Sequence, residues 1–205
     1  MSDRADNDAM PQSIRRLDNP DAIRLVRLVG AYDDLQTVLV TCEQLLTVLG
    51  DPARGGADPT AEALWTFVLL CYARAFGAAE ASAAAVTETD LDPAEGEERD
   101  DVVRRHRVLM HLRDHHADPL VNPRETYTVG VAQDDDGQVN AVAVTSVPSP
   151  AVDPEAVRHV GRLAYRLCAV LDARIGELQK AILAAVRDTP KDELEAMDRI
   201  EVMAT

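Results

Sequence analysis

Between residues 104 and 124 an otherwise acidic chain turns basic, with five arginines against two aspartates, and His106, His111, His115 and His116 fall in the same stretch. A guanidinium can hold a phosphate through two parallel hydrogen bonds, and an imidazole can move a proton near neutral pH, so this mixture is where chemistry is to be sought. On a helical wheel, Val102, Val103, Leu109, Met110 and Ala117 set an apolar direction. His106, Arg113 and His116 project within the same arc. His111, His115, Arg104, Arg105, Arg107 and Asp114 lie off it and read as solvated. Burying an arginine and two histidines without partners is costly, so the three inward groups must be paired, neutral, or turned toward a cleft. Two readings stay open. In one, Arg113 anchors the helix end on backbone carbonyls or a carboxylate, and His106 and His116 are satisfied core histidines. In the other, Arg113 neutralises a phosphate in a cleft and His116 or His106 transfers a proton. The local reversal of charge points to an anionic ligand or an acidic partner.

The elements that must position this segment are legible from caps and periodicity. Asn19-Pro20-Asp21 predicts a helix start, and Leu25, Leu28, Tyr32, Leu35, Leu39, Cys42, Leu46 and Leu49 then recur at spacings of three and four until Gly50-Asp51-Pro52. That seam wants a helical partner, in this chain or another. Asp58-Pro59 repeats the start signal, and the following helix is apolar on several faces, as suits the middle of a bundle. Thr87 to Asp101 carries eight acidic residues against one arginine and reads either as a solvated linker or as an acidic lid over the basic segment. A third helix is expected from about Glu98 to Ala117, stopped by Asp118-Pro119. A β-hairpin at about 125–147 follows, turning at Asp134-Asp135-Asp136-Gly137. Asp153-Pro154 opens a fourth helix whose stripe, Val157, Val160, Ala164, Leu167, Leu171, Ile175, Leu178 and Ile182, predicts packing along its whole length.

The expected fold is therefore mainly all-α, a long four-helix up-down bundle with one inserted β-hairpin. Residues 1–18 form a disordered head, 19–187 the bundle domain, and 188–205 a short tail helix from Asp192 to Met203 with Leu194, Met197 and Ile200 inward.

Composition narrows the function classes. With 46% hydrophobic and 28% charged residues, 205 residues suffice for one core. A net charge of −15 excludes a surface that binds a phosphate backbone everywhere, so no general DNA binding is expected and any RNA contact must be local. At 3% aromatic residues there are few platforms for stacking bases. Cys42, Cys71 and Cys168 fall in separate helical stretches without a C-x-x-C pair, and read as buried residues in a reducing compartment. The start from Met1 to Gln12 lacks the features of a signal peptide, and the apolar stretch from Ala63 to Ala73 is too short to span a bilayer. A cytoplasmic protein without membrane contact is expected. No cofactor and no metal are expected either, since the Asp134–Asp136 triplet lacks the longer ligand series, ending in Glu, of an EF-hand loop.

Tyr72-Ala73-Arg74-Ala75-Phe76, then His106 ahead of Leu112-Arg113-Asp114, then Val121-Asn122 and Glu125 leading into the hairpin, together resemble a group of HEPN-like bacterial proteins. In these a "YaRaF" helix precedes an "H…LRdkhiAHs" helix and a hairpin follows. The resemblance covers about Leu64 to Val147. It implies a helical, commonly dimeric fold, and active members cleave RNA without metal in toxin–antitoxin or phage-defence systems, the ribose 2′-hydroxyl attacking the adjacent phosphate. Carried over, Arg113 would stabilise the phosphorane-like transition state. Pro119 stands where the family's histidine is expected, and His115 and His116 come earlier than that pattern places it. The resemblance thus implies a non-catalytic homodimeric module, binding a nucleotide, RNA or cognate protein partner through Arg74, His106 and Arg113. The alternative is a metal-independent endoribonuclease whose proton transfer has moved from the Pro119 position to His116, helped by His106 and Arg74. Arg74, which matches the family's central-helix arginine, is expected to face Arg113 across the bundle and complete an anion site. Arg105 and His111 have suitable spacing by count but point to opposite sides of the helix.

Overall fold

The computed structural model describes residues 13–52, 58–77, 84–93 and 96–201. Three of its four long helices begin where a capping residue precedes a proline. In α1 (Pro20–Leu49) the Asn19 side chain accepts the N–H of Ala22 at 2.8 Å, and Pro20 fills a position whose N–H would have no partner. Asp58 caps α2 (Pro59–Phe76) through the N–H of Thr60 at 2.7 Å, and Asp153 caps α4 (Pro154–Val186) through that of Glu155 at 3.0 Å. Helix α3 (Arg99–Ala117) has no side-chain cap at Glu98 and stops, as predicted, before Asp118-Pro119.

The fold is mainly helical, with a small two-stranded hairpin. Helix α1 lies between α2 and α4 and antiparallel to both. Asp34 meets Arg74 while a short connection joins Leu49 to Pro59, and Gln36 reaches Cys168 while Cys42 lies beside Gly161. Helix α3 runs antiparallel to α2, since Tyr72 meets His106 and Thr66 meets His116. Leu28, Leu35 and Cys42 of the α1 seam are buried and its other five residues are half-buried, so the seam is used inside the chain. Trp65, Val68 and Leu69 of α2, Val102 and Leu109 of α3, and Val160, Leu163 and Leu167 of α4 complete the core.

Strands β2 (Glu125–Gln133) and β3 (Val139–Pro148) pair antiparallel, with Val131 opposite Val142. The aspartate triplet builds their turn: the Asp134 carboxylate accepts the N–H groups of Asp136 at 3.1 Å and Gln138 at 2.8 Å, and Gly137 takes a φ of 78° that favours glycine.

Both chain ends depart from expectation. Residues 1–12 lie outside the described residues, but Ile14–Arg15, within the expected disordered head, form strand β1, which pairs antiparallel with β4 (Arg199–Ile200). The expected tail helix is replaced by a short α5 (Lys191–Ala196) followed by β4, with Leu194 and Met197 half-buried and Ile200 43% exposed. The Arg15 guanidinium donates to the carbonyls of Glu195 at 3.2 Å and Met197 at 2.9 Å, which gives carbonyls at the end of α5 a donor and ties the first strand to the last turn. The α4 stripe packs to its end, for Leu178 is buried and Ile182, half-buried, packs against the core, while Leu183, off the stripe, is 56% exposed. With 18 and 19 residues, α2 and α3 are shorter than α1 and α4, with 30 and 33, so the start of α1 and the end of α4 stand clear of them. Among the described residues, no helix is long and apolar enough to cross a membrane.

Candidate functional site

His106 goes into the core. The residue is 4% exposed, its Nδ1 lies 3.0 Å from the Tyr72 hydroxyl, and the Phe76 ring packs against it, tilted by 43°, at a centroid distance of 4.4 Å. Burial lowers its pKa below the ordinary histidine value; Glu88 opposes this and Arg107 adds to it. Burial raises the Tyr72 pKa above its ordinary value, so the phenol keeps its proton. This is the satisfied core histidine of the first reading.

The last turns of α3 are more open. His116 is half-buried, with Nδ1 3.1 Å from the Thr66 hydroxyl on α2. Burial again lowers its pKa, His115 adds to the effect and Glu62 opposes it. Arg113, one turn earlier and therefore beside His116 on the helix surface, has a side chain 35% exposed. Its Nε lies 3.0 Å from the carboxylate of the adjacent Asp114 but out of line for a hydrogen bond, so this enclosed donor has no acceptor. Arg124, at the base of the hairpin, lies 3.5 Å from Glu62 of α2. The end of α3, the first turns of α2 and the hairpin base thus bring Arg113, His116, Thr66, Glu62 and Arg124 into one neighbourhood.

Arg74 is not part of it. Two residues beyond Tyr72, it points to the opposite side of α2, where its Nε donates to both carboxylate oxygens of Asp34 at 3.1 Å and its Nη2 forms a close ion pair with the same group. Nη2 also lies 3.2 Å from the Cys71 sulfur. The expected anion site shared by Arg74 and Arg113 is not assembled, because α1 supplies a carboxylate that α2 alone does not reveal.

A second polar cluster, between α3 and α4, escapes the sequence reading. His159, 6% exposed, takes a hydrogen bond at Nδ1 from Arg105 Nη1 at 3.1 Å. An arginine is always the donor, so Nε2 carries the ring hydrogen, and it is enclosed without a partner. Glu97 accepts from Arg166 at 3.1 Å and lies 3.5 Å from Arg105. Arg105, expected to be solvated, in fact reaches across to α4. His159 lies off the α4 stripe and is covered by groups from another helix, so no pattern within α4 marks it.

The acidic stretch is not a free linker where it is described. Val86 and Leu91 are each 1% exposed, and the Glu88 carboxylate accepts from Arg107 on α3 at 3.0 and 2.8 Å. Asp90 takes the N–H of Thr87 at 2.9 Å and the guanidinium of Arg174 on α4 at 2.5 and 3.1 Å. Burial acts to raise the Asp90 pKa, yet these bonds outweigh it and hold the carboxyl below its ordinary value.

A cavity of about 600 Å³ opens between α1 and α4, walled by Leu39, Cys42, Leu46, Gly161, Tyr165 and Arg166 among others. None of Arg74, His106, Arg113 and His116 lines it. Among the described residues, no three His, Cys, Asp or Glu side chains are grouped as a metal ion would require. Comparison with protein families, with curated proteins and with solved structures found no match to this chain.

Proposed function

We propose that the chain is a HEPN-like, non-catalytic helical module of the cytoplasm. It binds an anionic ligand, a nucleotide or RNA, as part of a bacterial defence or toxin–antitoxin-like system, and works as a homodimer with a cognate protein as a further partner. One observation carries the binding reading. Arg113 is a partly exposed guanidinium with an enclosed Nε that has no acceptor, one turn from a half-open imidazole. A phosphate oxygen supplies the acceptor that Asp114 is badly placed to give, and a desolvated charge-assisted bond of this kind is among the stronger ones available. Against catalysis stand His106, held by Tyr72 in the core, and His116, with one ring nitrogen on Thr66 and a lowered pKa. A proton carrier works best when its pKa lies near the working pH and its ring can reach the reacting group.

Thermal unfolding in the presence of inorganic phosphate, a nucleoside monophosphate or a short single-stranded RNA tests this, because a ligand of the native state raises the melting temperature by mass action. At least one probe should raise it in the natural protein and lose its effect in Arg113→Ala. If none does, the anion reading fails. The endoribonuclease reading keeps one observation in its favour, the adjacency of Arg113 and His116. It predicts RNA cleavage in a chelator, lost in both Arg113→Ala and His116→Ala while the helical fold survives.

A further inference from the structure

The β2–β3 hairpin is bare. Tyr127 is 57% exposed, Val129 69%, Val131 62%, Val142 71% and Val144 65%. The register sets Val129 opposite Val144, Val131 opposite Val142 and Tyr127 opposite Ser146. Side chains alternate along a strand, so these four valines and Tyr127 share one face. The other face is built largely of small residues, among them Gly130, Ala141 and Ala143, with Val139 and Val147 at its ends. A lone two-stranded sheet is marginal in water without something on its apolar face.

We infer that this valine face is the contact between two copies of the chain, stacked face to face across a two-fold axis. The inference rests on the dimeric part of the function proposed above, and not on its anion site. Charge argues for a second copy as the occupant. No charged side chain occurs from Thr126 to Gln133 or from Gln138 to Val152, in a chain of net charge −15. Two such chains repel over most of their surface and meet at least cost where charge is absent. A basic partner is drawn instead to the acidic bundle, and a phosphate finds no cation on these strands. A two-fold contact also demands a patch that fits itself, and a valine centre flanked by Asn140 and Ser146 does so. The face is about 30 Å long and about 10 Å wide. With the relief of the side chains, two such faces bury roughly 1,000 Å², the low end for specific contacts, so the dimer is reversible and depends on concentration. The α1 seam offers no competing face, since it is used within the chain.

Sedimentation velocity over a range of concentrations, with the full chain, tests the inference. The natural protein should pass from monomer to dimer. Val129→Lys with Val144→Lys should stay monomeric with unchanged helical circular dichroism, although the added lysines lower the overall repulsion. Thr128→Lys, on the other face, should still dimerise. Val129→Thr with Val144→Thr, which keeps strand-forming side chains, should weaken the dimer at least about tenfold, matching the loss of several buried methyl groups. A dimer that persists unchanged in the lysine and threonine variants overturns the hairpin contact and leaves the dimeric reading to another surface. A chain that remains monomeric at its highest soluble concentration overturns both, without touching the phosphate test of Arg113.

Discussion

Tyr72 and His106 lie 3.0 Å apart inside the core, and each supplies the partner the other would otherwise lack. Removing only one of them should therefore cost more than its contact area suggests. Tyr72→Phe leaves the His106 nitrogen enclosed and unpaired, at a cost of about 1–3 kcal/mol. His106→Leu strands the phenol in the same way. The pair Tyr72→Phe with His106→Leu removes both polar groups and should cost clearly less than the sum of the single changes, as read from urea unfolding midpoints. Strict additivity would mean that the bond contributes nothing and that ring packing against Phe76 carries the interaction. At this scale the sequence told which way a residue points on its own helix but not what waits there. The wheel turned His106 inward, and it is inward. The family resemblance, and not the wheel, brought Arg74 toward Arg113, and that placement fails because Asp34, forty residues away in the chain, claims the guanidinium.

At the scale of elements, three helices start at an Asn or Asp followed by proline, where a short acceptor and a preset φ agree. Helix α3, which carries the candidate site, does not. Glu98 occupies its cap position without a side-chain bond, and Asp101 stands at the third helical position. Glu98→Ser should complete a capping box with Asp101 and stabilise the protein by about 0.5–1 kcal/mol, seen as a higher melting temperature. A neutral or lower value would show that Glu98 has a role outside the cap that serine cannot fill. Local signals of this sort made the helices and the hairpin legible, since caps, breakers and turn residues act within a few positions. What they could not show is long-range. Val86 and Leu91 dock the acidic stretch, with Glu88 on Arg107 and Asp90 on Arg174, and Ile14–Arg15 pair with Arg199–Ile200. The candidate site was legible as a face of α3, while its α2 members, Thr66 and Glu62, appear only once the helices are packed.

Over the whole molecule, two electrostatic effects oppose each other as pH falls. The net charge of −15 makes the folded chain repel itself, and acidification relieves that strain. Burial, however, lowers the pKa of His106, His116 and His159 below the ordinary value of 6.5, with Arg105 adding to the effect at His159. Above that value all three are neutral in both the folded and unfolded states, so they leave stability independent of pH. As pH drops through it, the unfolded chain takes up protons that the folded one refuses, and stability declines until the lowered native values are passed. The depressed carboxyls of Glu88 and Glu155, each held by arginine, add a loss of the same sign as pH falls below their ordinary value of 4.5. Salt decides between the two effects, because near physiological ionic strength charges more than about 8 Å apart are largely screened, whereas burial of an imidazole is not. In such a buffer the urea midpoint should fall between pH 7 and pH 5, and His106→Gln, which keeps a partner for Tyr72 but cannot titrate, should make the fall shallower. A midpoint that rises on acidification in moderate salt would mean that self-repulsion outweighs the histidines, and that the enclosed imidazoles are wetter than their packing implies.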